Sequence, residues 1–414
     1  MPLWIAVFGL LLLLPLYAAD AQSGQVTNVH DPCIIACGDD HYIFSTSDGI
    51  AIRRSRDRLR WQYLGEVFED IPAWGQREVP GVSNTWAPDI TFHNGTYYLY
   101  YSLSTFGSNR SRIGLATNTT LDPSDPDYKW TDRGKVIESN PGDNFNAIDP
   151  NIAMDADGKI WLTFGSFWSG IKIVELDSAT WKPPLNYRLQ SIASRSGDAI
   201  EAPYIIFKNN YYLFVSFDLC CRGVNSTYKI MVGRSDKITG PFFDRDRKTM
   251  LNGGGHLLLD GDDRWRGPGH CAVLRQEDAD WLVYHAYDAQ NNGTPTLRIT
   301  RLEWDEDGWP IMDNSAGLEQ DESTLHPPDH FLRQNYPNPF NSLTKIAFDL
   351  GTSGYTTLKV YDINARELTT LVEETLLLGH YNVPFNAVGF PPGVYLYSIQ
   401  TNAFVETKKM VVLP

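Results

Sequence analysis

The chain has 414 residues and sets 35 Lys and Arg against 50 Asp and Glu, a formal net charge of −15. That balance excludes a polyanion-gripping surface, which needs clustered cations to displace counterions. With 42% hydrophobic and 21% charged residues, a disordered chain is excluded as well. The 12 Trp, 21 Tyr and 19 Phe, with 33 Gly and 25 Pro, favour many short strands joined by frequent turns. Surplus aromatics beside surplus acids also suit a carbohydrate-facing surface, because the C–H face of a sugar stacks on a ring.

Leu3 to Tyr17 are nearly all apolar and give way to Ala18-Ala19-Asp20-Ala21. The run is short for a bilayer span and Ala19-x-Ala21 fits a leader-peptidase site, so residues 1–21 read as a secretory signal peptide. The basic residues usual ahead of such a run are missing. No later segment has the length and apolarity of a transmembrane helix. The five cysteines, Cys33, Cys37, Cys220, Cys221 and Cys271, are an odd number, which leaves at least one unpaired. Cys220 and Cys221 are adjacent and would pair only as a strained vicinal bridge. Small buried residues are therefore expected here, not a disulfide framework or a zinc site.

From residue 22 to 310 a weak repeat recurs: a polar group beside Pro, an apolar run, a tight polar turn and an aromatic-rich run. Its copies begin at His30-Asp31-Pro32, Ala87-Pro88-Asp89, Asp149-Pro150-Asn151, Glu201-Ala202-Pro203 and Gly267-Pro268-Gly269-His270. With Asp31, Asp89, Asp149, Glu201 and His270 as markers, the steps are 58, 60, 52 and 69 residues. Asn-Gly and Asp-Gly between alternating runs are strong hairpin signals. A third and a fourth short strand follow several of the hairpins. Five units of four strands predict an all-β, five-bladed β-propeller over 22–310. A two-sheet sandwich would not need a polar residue at the same point of every repeat. In a propeller, equivalent positions converge at one end of the channel. Carboxylates gathered there repel one another and lose hydration, a cost that a functional site explains better than turn chemistry.

The stretches "HDPCII", "SNTWAPDI", "YYLYYSLSTFGS", "NAIDPNI", "GSFWSG", "EAPYI", "CCRGVNSTYKI", "GPGH" and "WDEDGWP" resemble the glycoside hydrolase family 43 arabinanases, from about Val29 to about Pro310. The resemblance implies the same propeller and an inverting, endo-acting cleavage of α-1,5-linked arabinan, a pectin side chain. It makes Asp31 the general base, Glu201 the general acid and Asp149 the acid that orients and tunes Glu201. Such chemistry requires a separation of about 6.5–9.5 Å between the working carboxyls, and a Glu201 pKa raised to about 6–7. Trp86 and Phe106 match aromatic platforms for arabinose, and Ser166 a hydroxyl contact. His270 matches a histidine that supports an axial ion, such as calcium, through waters. Cys33 stands where serine is common and is expected to point away from the sugar. The alternatives are an exo-acting arabinofuranosidase or β-xylosidase on the same fold, or a non-catalytic sugar-binding propeller.

Residues 311–330 are acidic and Pro-containing and read as a linker. Residues 331–414 alternate in short strands and predict a small immunoglobulin-like β-sandwich. Their wording, "LRQNYPNPFNSLTKIAFDL" to "ETKKMVVLP", resembles the C-terminal sorting domain of the type IX secretion system. The resemblance implies passage through the periplasm by way of that machinery, to release or to attachment at the cell surface. A monomer without organic cofactor is expected.

Overall fold

The computed structural model describes residues 22–276, 279–312 and, apart from short gaps, 331–413. The signal peptide of 1–21 and all of the 311–330 linker except Ile311 and Met312 lie outside the described residues. Those two residues belong to the last strand of the first unit, Pro310–Met312, so the expected linker begins two residues early. The described residues fall into two compact units, one on either side of 313–330.

The first unit is a five-bladed propeller. Its blades are four-stranded antiparallel sheets, the first with Ser23–Gly24 added in parallel at its edge, and their innermost strands are Cys33–Cys37, Trp86–His93, Asn151–Met154, Ile200–Lys208 and Trp265–Arg275. Each innermost strand neighbours the next, and the fifth neighbours the first, which closes the ring. The hairpin turns form as their residues dictate. At Asn94-Gly95 both residues take positive φ (47° and 79°), so that His93 pairs with Thr96 across a two-residue turn. Every blade is covered on both faces by its neighbours, so its middle strands do not alternate. All eight residues of Ser111–Asn118 are buried.

Five apolar clusters fill the five gaps between blades. Phe44 packs with Leu99 and Tyr101, Tyr100 with Leu162 and Phe164, and Ile171 with Leu213 and Val215. Tyr212 and Phe214 pack with Leu282, and the ring closes where Ile34 and Ile43 meet Val283 and Leu297. A strap from the start of the described chain reinforces this last gap. The Leu297 N–H donates to the Val26 carbonyl (2.8 Å) and the Val29 N–H to the Pro295 carbonyl (3.2 Å).

A second set of contacts sets the repeat's true register. Asp31, Ala87, Asp149, Ala202 and His270 all take left-handed φ, between 46° and 59°. The backbone N–H of each is caught by the preceding blade. Thr46 Oγ1 accepts from Ala87 (2.9 Å), Ser102 Oγ from Asp149 (3.0 Å) and Ser216 Oγ from His270 (2.8 Å). His285 Nδ1 accepts from Asp31 (3.1 Å) across the closing gap. In blade 3 the second strand ends at Phe164 and Gly165 follows, so the Asp149 carboxylate itself accepts from Ala202 (3.1 Å). Non-glycine residues hold such φ values only where their surroundings over-determine them.

The equivalent residues are thus Asp31, Ala87, Asp149, Ala202 and His270. Glu201 lies one residue before its marker position and Asp89 two residues after. Asp89 has a different role. Buried, it accepts from the Ile152 N–H (2.7 Å) and Asn151 Nδ2 (3.2 Å) of the next blade. Asn151, two residues past Asp149, repeats this tie to the Ile205 N–H (2.9 Å). Cys33 takes the same place in blade 1, buried with its thiol against the Ile90 amide, and does not reach the cleft described below.

The second unit is a small β-sandwich. A three-stranded sheet (Phe331–Leu332, Leu343–Leu350, Gly379–Asn386) and a four-stranded sheet share a core that includes Phe348, Leu358, Tyr397 and Met410.

The tie at Asp89 predicts a separable stability effect. Asp89→Ala leaves the Ile152 amide buried without a partner, and we expect a loss of about 1–3 kcal/mol in urea denaturation. Turnover per folded molecule should stay unchanged, since Asp89 lies outside the cleft.

Candidate active site

At the end of the channel where the left-handed residues converge lies a cleft of about 780 Å³. Asp31, Asp149, Glu201, His270, Trp86, Phe106 and Ser166 all line it, whereas Asp89, the remaining marker of the repeat, does not. Phe106 lines the cleft while 84% exposed, so its ring is open to whatever enters. The three carboxylates are buried among blades 1, 3 and 4.

Their surroundings drive them apart electrostatically. Burial alone would raise Asp31, but His30 and His270 outweigh it and hold the carboxyl well below its ordinary range. His30 Nδ1 lies 2.8 Å and His270 Nδ1 3.2 Å from the same oxygen, Oδ1. The other oxygen accepts from Thr46 Oγ1 (2.6 Å). Glu201 moves the opposite way. Burial and then the charge of Asp149 push it up to about 8, although Ser166 Oγ donates to Oε2 at 2.6 Å. Asp149 is itself raised to about 6, chiefly by burial, with His270 opposing and Asp31 reinforcing the rise. Near neutral pH the cleft therefore holds an ionised Asp31 and a protonated Glu201. Such a pair of titratable groups driven apart is the mark of acid–base assignment.

Several contributors are not apparent from sequence. Tyr228, buried in the wall of the cleft, donates to Glu201 Oε1. Gly269 makes room for it, since a Cβ there would lie 2.1 Å from the Tyr228 ring. Tyr287 Oη accepts from the Cys221 N–H and lies 2.8 Å from His30 Nε2. In the neutral ring this leaves Nδ1–H to face Asp31. His285 stacks on His30, with ring centroids 4.0 Å apart, and burial holds it well below its ordinary pKa. One signal is present in the sequence: Thr46, Ser102, Ser216 and His285 repeat a polar residue near the end of the second strand of a blade.

Cys220 and Cys221 correct an expectation. They are not buried small residues: they are joined to each other, and both line the cleft. Cys33, Cys37 and Cys271 are free.

The histidines also bear on a cation. Burial lowers His270, but Asp31, Asp149 and Glu201 outweigh it and raise the ring to about 9. Its Nδ1 lies 3.2 Å from Asp31 Oδ1. Among the described residues, His30, Asp31 and His285 have ligand spacing, with ligand atoms within 4.8 Å of one another. His285 Nε2 is buried with no partner. Two nitrogens and one carboxylate are a sparse set for calcium, which prefers six to eight oxygens.

The raised carboxyls fix a sign for stability against pH. Glu201 and Asp149, ordinarily at 4.5 and 3.8, keep their protons in the fold to about 8 and about 6. Their contribution is complete below the unfolded values and is lost as pH rises through the folded ones. His270 acts in the same direction up to about 9. The melting temperature should therefore fall from about pH 7 to 9, above the range in which His285, held below its ordinary value, acts in the opposite direction. In Glu201→Gln the fall should be shallower up to about pH 8, and an unchanged slope would show that Glu201 is not the group holding the proton.

Residues 26–310 match the family model for glycosyl hydrolases family 43, and residues 334–413 match that for a secretion system C-terminal sorting domain. The chain is 44% identical over 324 residues to an extracellular exo-α-(1→5)-L-arabinofuranosidase of Cellvibrio japonicus, covering 75% of this chain and 92% of that one. It is 47% identical over 290 residues to an extracellular endo-α-(1→5)-L-arabinanase of Bacillus subtilis, covering 68% and 87%. Among solved structures, an endo-arabinanase of Bacillus licheniformis superposes with a TM-score of 0.66 at 49% identity, over 70% of this chain and 99% of that one. An arabinanase of Cellvibrio cellulosa in complex with arabinohexaose gives a TM-score of 0.68 at 44% identity, over 70% and 97%. With its propeller spanned by the first model and its sandwich by the second, the chain belongs to glycosyl hydrolase family 43 and carries a C-terminal sorting domain.

Proposed function

We propose that the protein is a secreted or cell-surface hydrolase that cuts internal α-1,5-L-arabinofuranosidic bonds of arabinan with inversion. The observation that carries this reading is the opposed protonation of Asp31 and Glu201 in one cleft. Protonated Glu201 gives its proton to the leaving oxygen. Ionised Asp31 takes a proton from the water that attacks the opposite face of the sugar. Asp149 keeps Glu201 protonated through its charge and holds the Ala202 N–H, one residue from the acid. Trp86 and Phe106 offer ring faces, and Ser166 orients Glu201 through its hydrogen bond.

Glu201→Gln keeps the shape and removes the proton, so turnover of linear arabinan should fall about 10²–10⁴-fold. An aryl arabinoside with a good leaving group should suffer far less, and equal losses would assign the acid elsewhere. Chromatography of early products decides between modes of attack: a ladder of oligomers means endo action, whereas monomer alone gives the exo mode named for the Cellvibrio japonicus relative. NMR of the first product should show inverted anomeric configuration, and retention would remove Asp31 as base.

An axial cation held by His270 through waters would add positive charge beside Asp31. Dialysis against a chelator, followed by metal analysis and melting, tests it. Added calcium should raise the melting temperature of stripped protein, and identical melting curves would exclude the ion.

A further inference from the structure

The loop from Asp218 to Tyr228 joins the second and third strands of blade 4 and carries the Cys220–Cys221 disulfide into the cleft. A bridge between adjacent residues closes no length of chain. The loop-entropy gain that explains most structural disulfides is therefore absent. Its position suggests a local role. Cys221 is exposed and Cys220 partly so, and both line the cleft with Leu219, on blade 4. The aromatic side chains of Trp86, Phe106 and Trp168 line the same cleft from blades 2 and 3.

The loop is pinned so that this surface stays in place. The Thr227 N–H donates to the Leu219 carbonyl (2.8 Å) and the Arg222 N–H to Ser226 Oγ (3.0 Å). The Cys221 N–H donates to Tyr287 Oη (2.8 Å), and Cys221 Sγ lies 3.8 Å from His30 Nε2, beside Asp31. A disulfide has no N–H or O–H to satisfy and is polarisable, so it can lie against C–H groups without stranding a donor. Two thiols there would rotate independently and present S–H groups.

We propose that the Cys220–Cys221 disulfide is a substrate-contacting wall, packed against the C–H face of an arabinofuranose unit bound next to Asp31. The inference rests on the arabinan reading above and deepens it. The contact belongs to binding, alike in the ground and transition states, so its loss appears in KM and not in kcat.

The test uses the full chain and linear arabinan, with wild-type protein before and after treatment with tris(2-carboxyethyl)phosphine. In that reaction the S–S bond takes up two electrons and two protons to give two thiols. The phosphine gains the oxygen of water and becomes its oxide. Thiols counted after desalting and unfolding should rise from three to five. KM should then rise about tenfold, the scale of one lost apolar contact, with kcat within about twofold. Reoxidation should restore it. The Cys220→Ser/Cys221→Ser double variant should show the raised KM from the outset and ignore the reductant. A count of five thiols with KM unchanged overturns the wall and leaves the arabinan reading intact. A fall in kcat alone also overturns it, since the pair would then act only through His30 and Asp31. Arabinan left uncut by the oxidised protein overturns both.

Discussion

Five backbone amides govern this propeller. Each belongs to a residue held at left-handed φ at the head of a blade, and each is caught by a side chain of the blade before it. The strained backbone persists because an unmade buried hydrogen bond costs more than the conformation does. Three of the five catches, at Thr46, Asp149 and His285, also belong to the chemistry of the cleft. The seam between blades and the active site are therefore built from the same atoms. Asp149 fills with a carboxylate the place that the strand ending at Phe164, followed by Gly165, leaves without a hydroxyl.

The electrostatics follow from this convergence. Three acids and three histidines share one end of the channel, and no two acids have the same company. Asp31 has two imidazoles on one oxygen. Glu201 has two hydroxyl donors and an acidic neighbour. Position around the ring thus decides which carboxyl stays charged.

Much of this is legible along the chain. The five hairpins show in alternating runs and Asn-Gly turns, and Asp31, Asp149 and Glu201 stand out beside their prolines. The register is less legible. Asp89 and Glu201 look equivalent to Asp31 in sequence, yet one ties blades together and the other lies a residue away from its counterpart. Acid-beside-Pro is a local pattern, whereas equivalence in the ring is set by φ and by a distant partner, such as Thr46 at 41 residues or His285 at 254. Tyr228 is hidden for another reason: one tyrosine among 21 carries no local mark of the acid it touches. The cysteine pair departs from expectation because burial is the common fate of a free thiol, while adjacency and cleft position make these two an exception.

The strap of Val26 to Val29 carries one more consequence. Its partners, Pro295 and Leu297, lie in the third strand of the last blade, so the first described residues and nearly the last of the propeller complete each other. A chain delivered from its N-terminus can assemble four blades and still have an open seam. Locking waits for the final blade to arrive. Until then the apolar face that Ile34 and Ile43 present to Val283 and Leu297 has nothing to cover it. Closure of the ring therefore reports completion of the whole propeller chain, and a fragment lacking the fifth blade would lack both its seam and the His285 that catches Asp31.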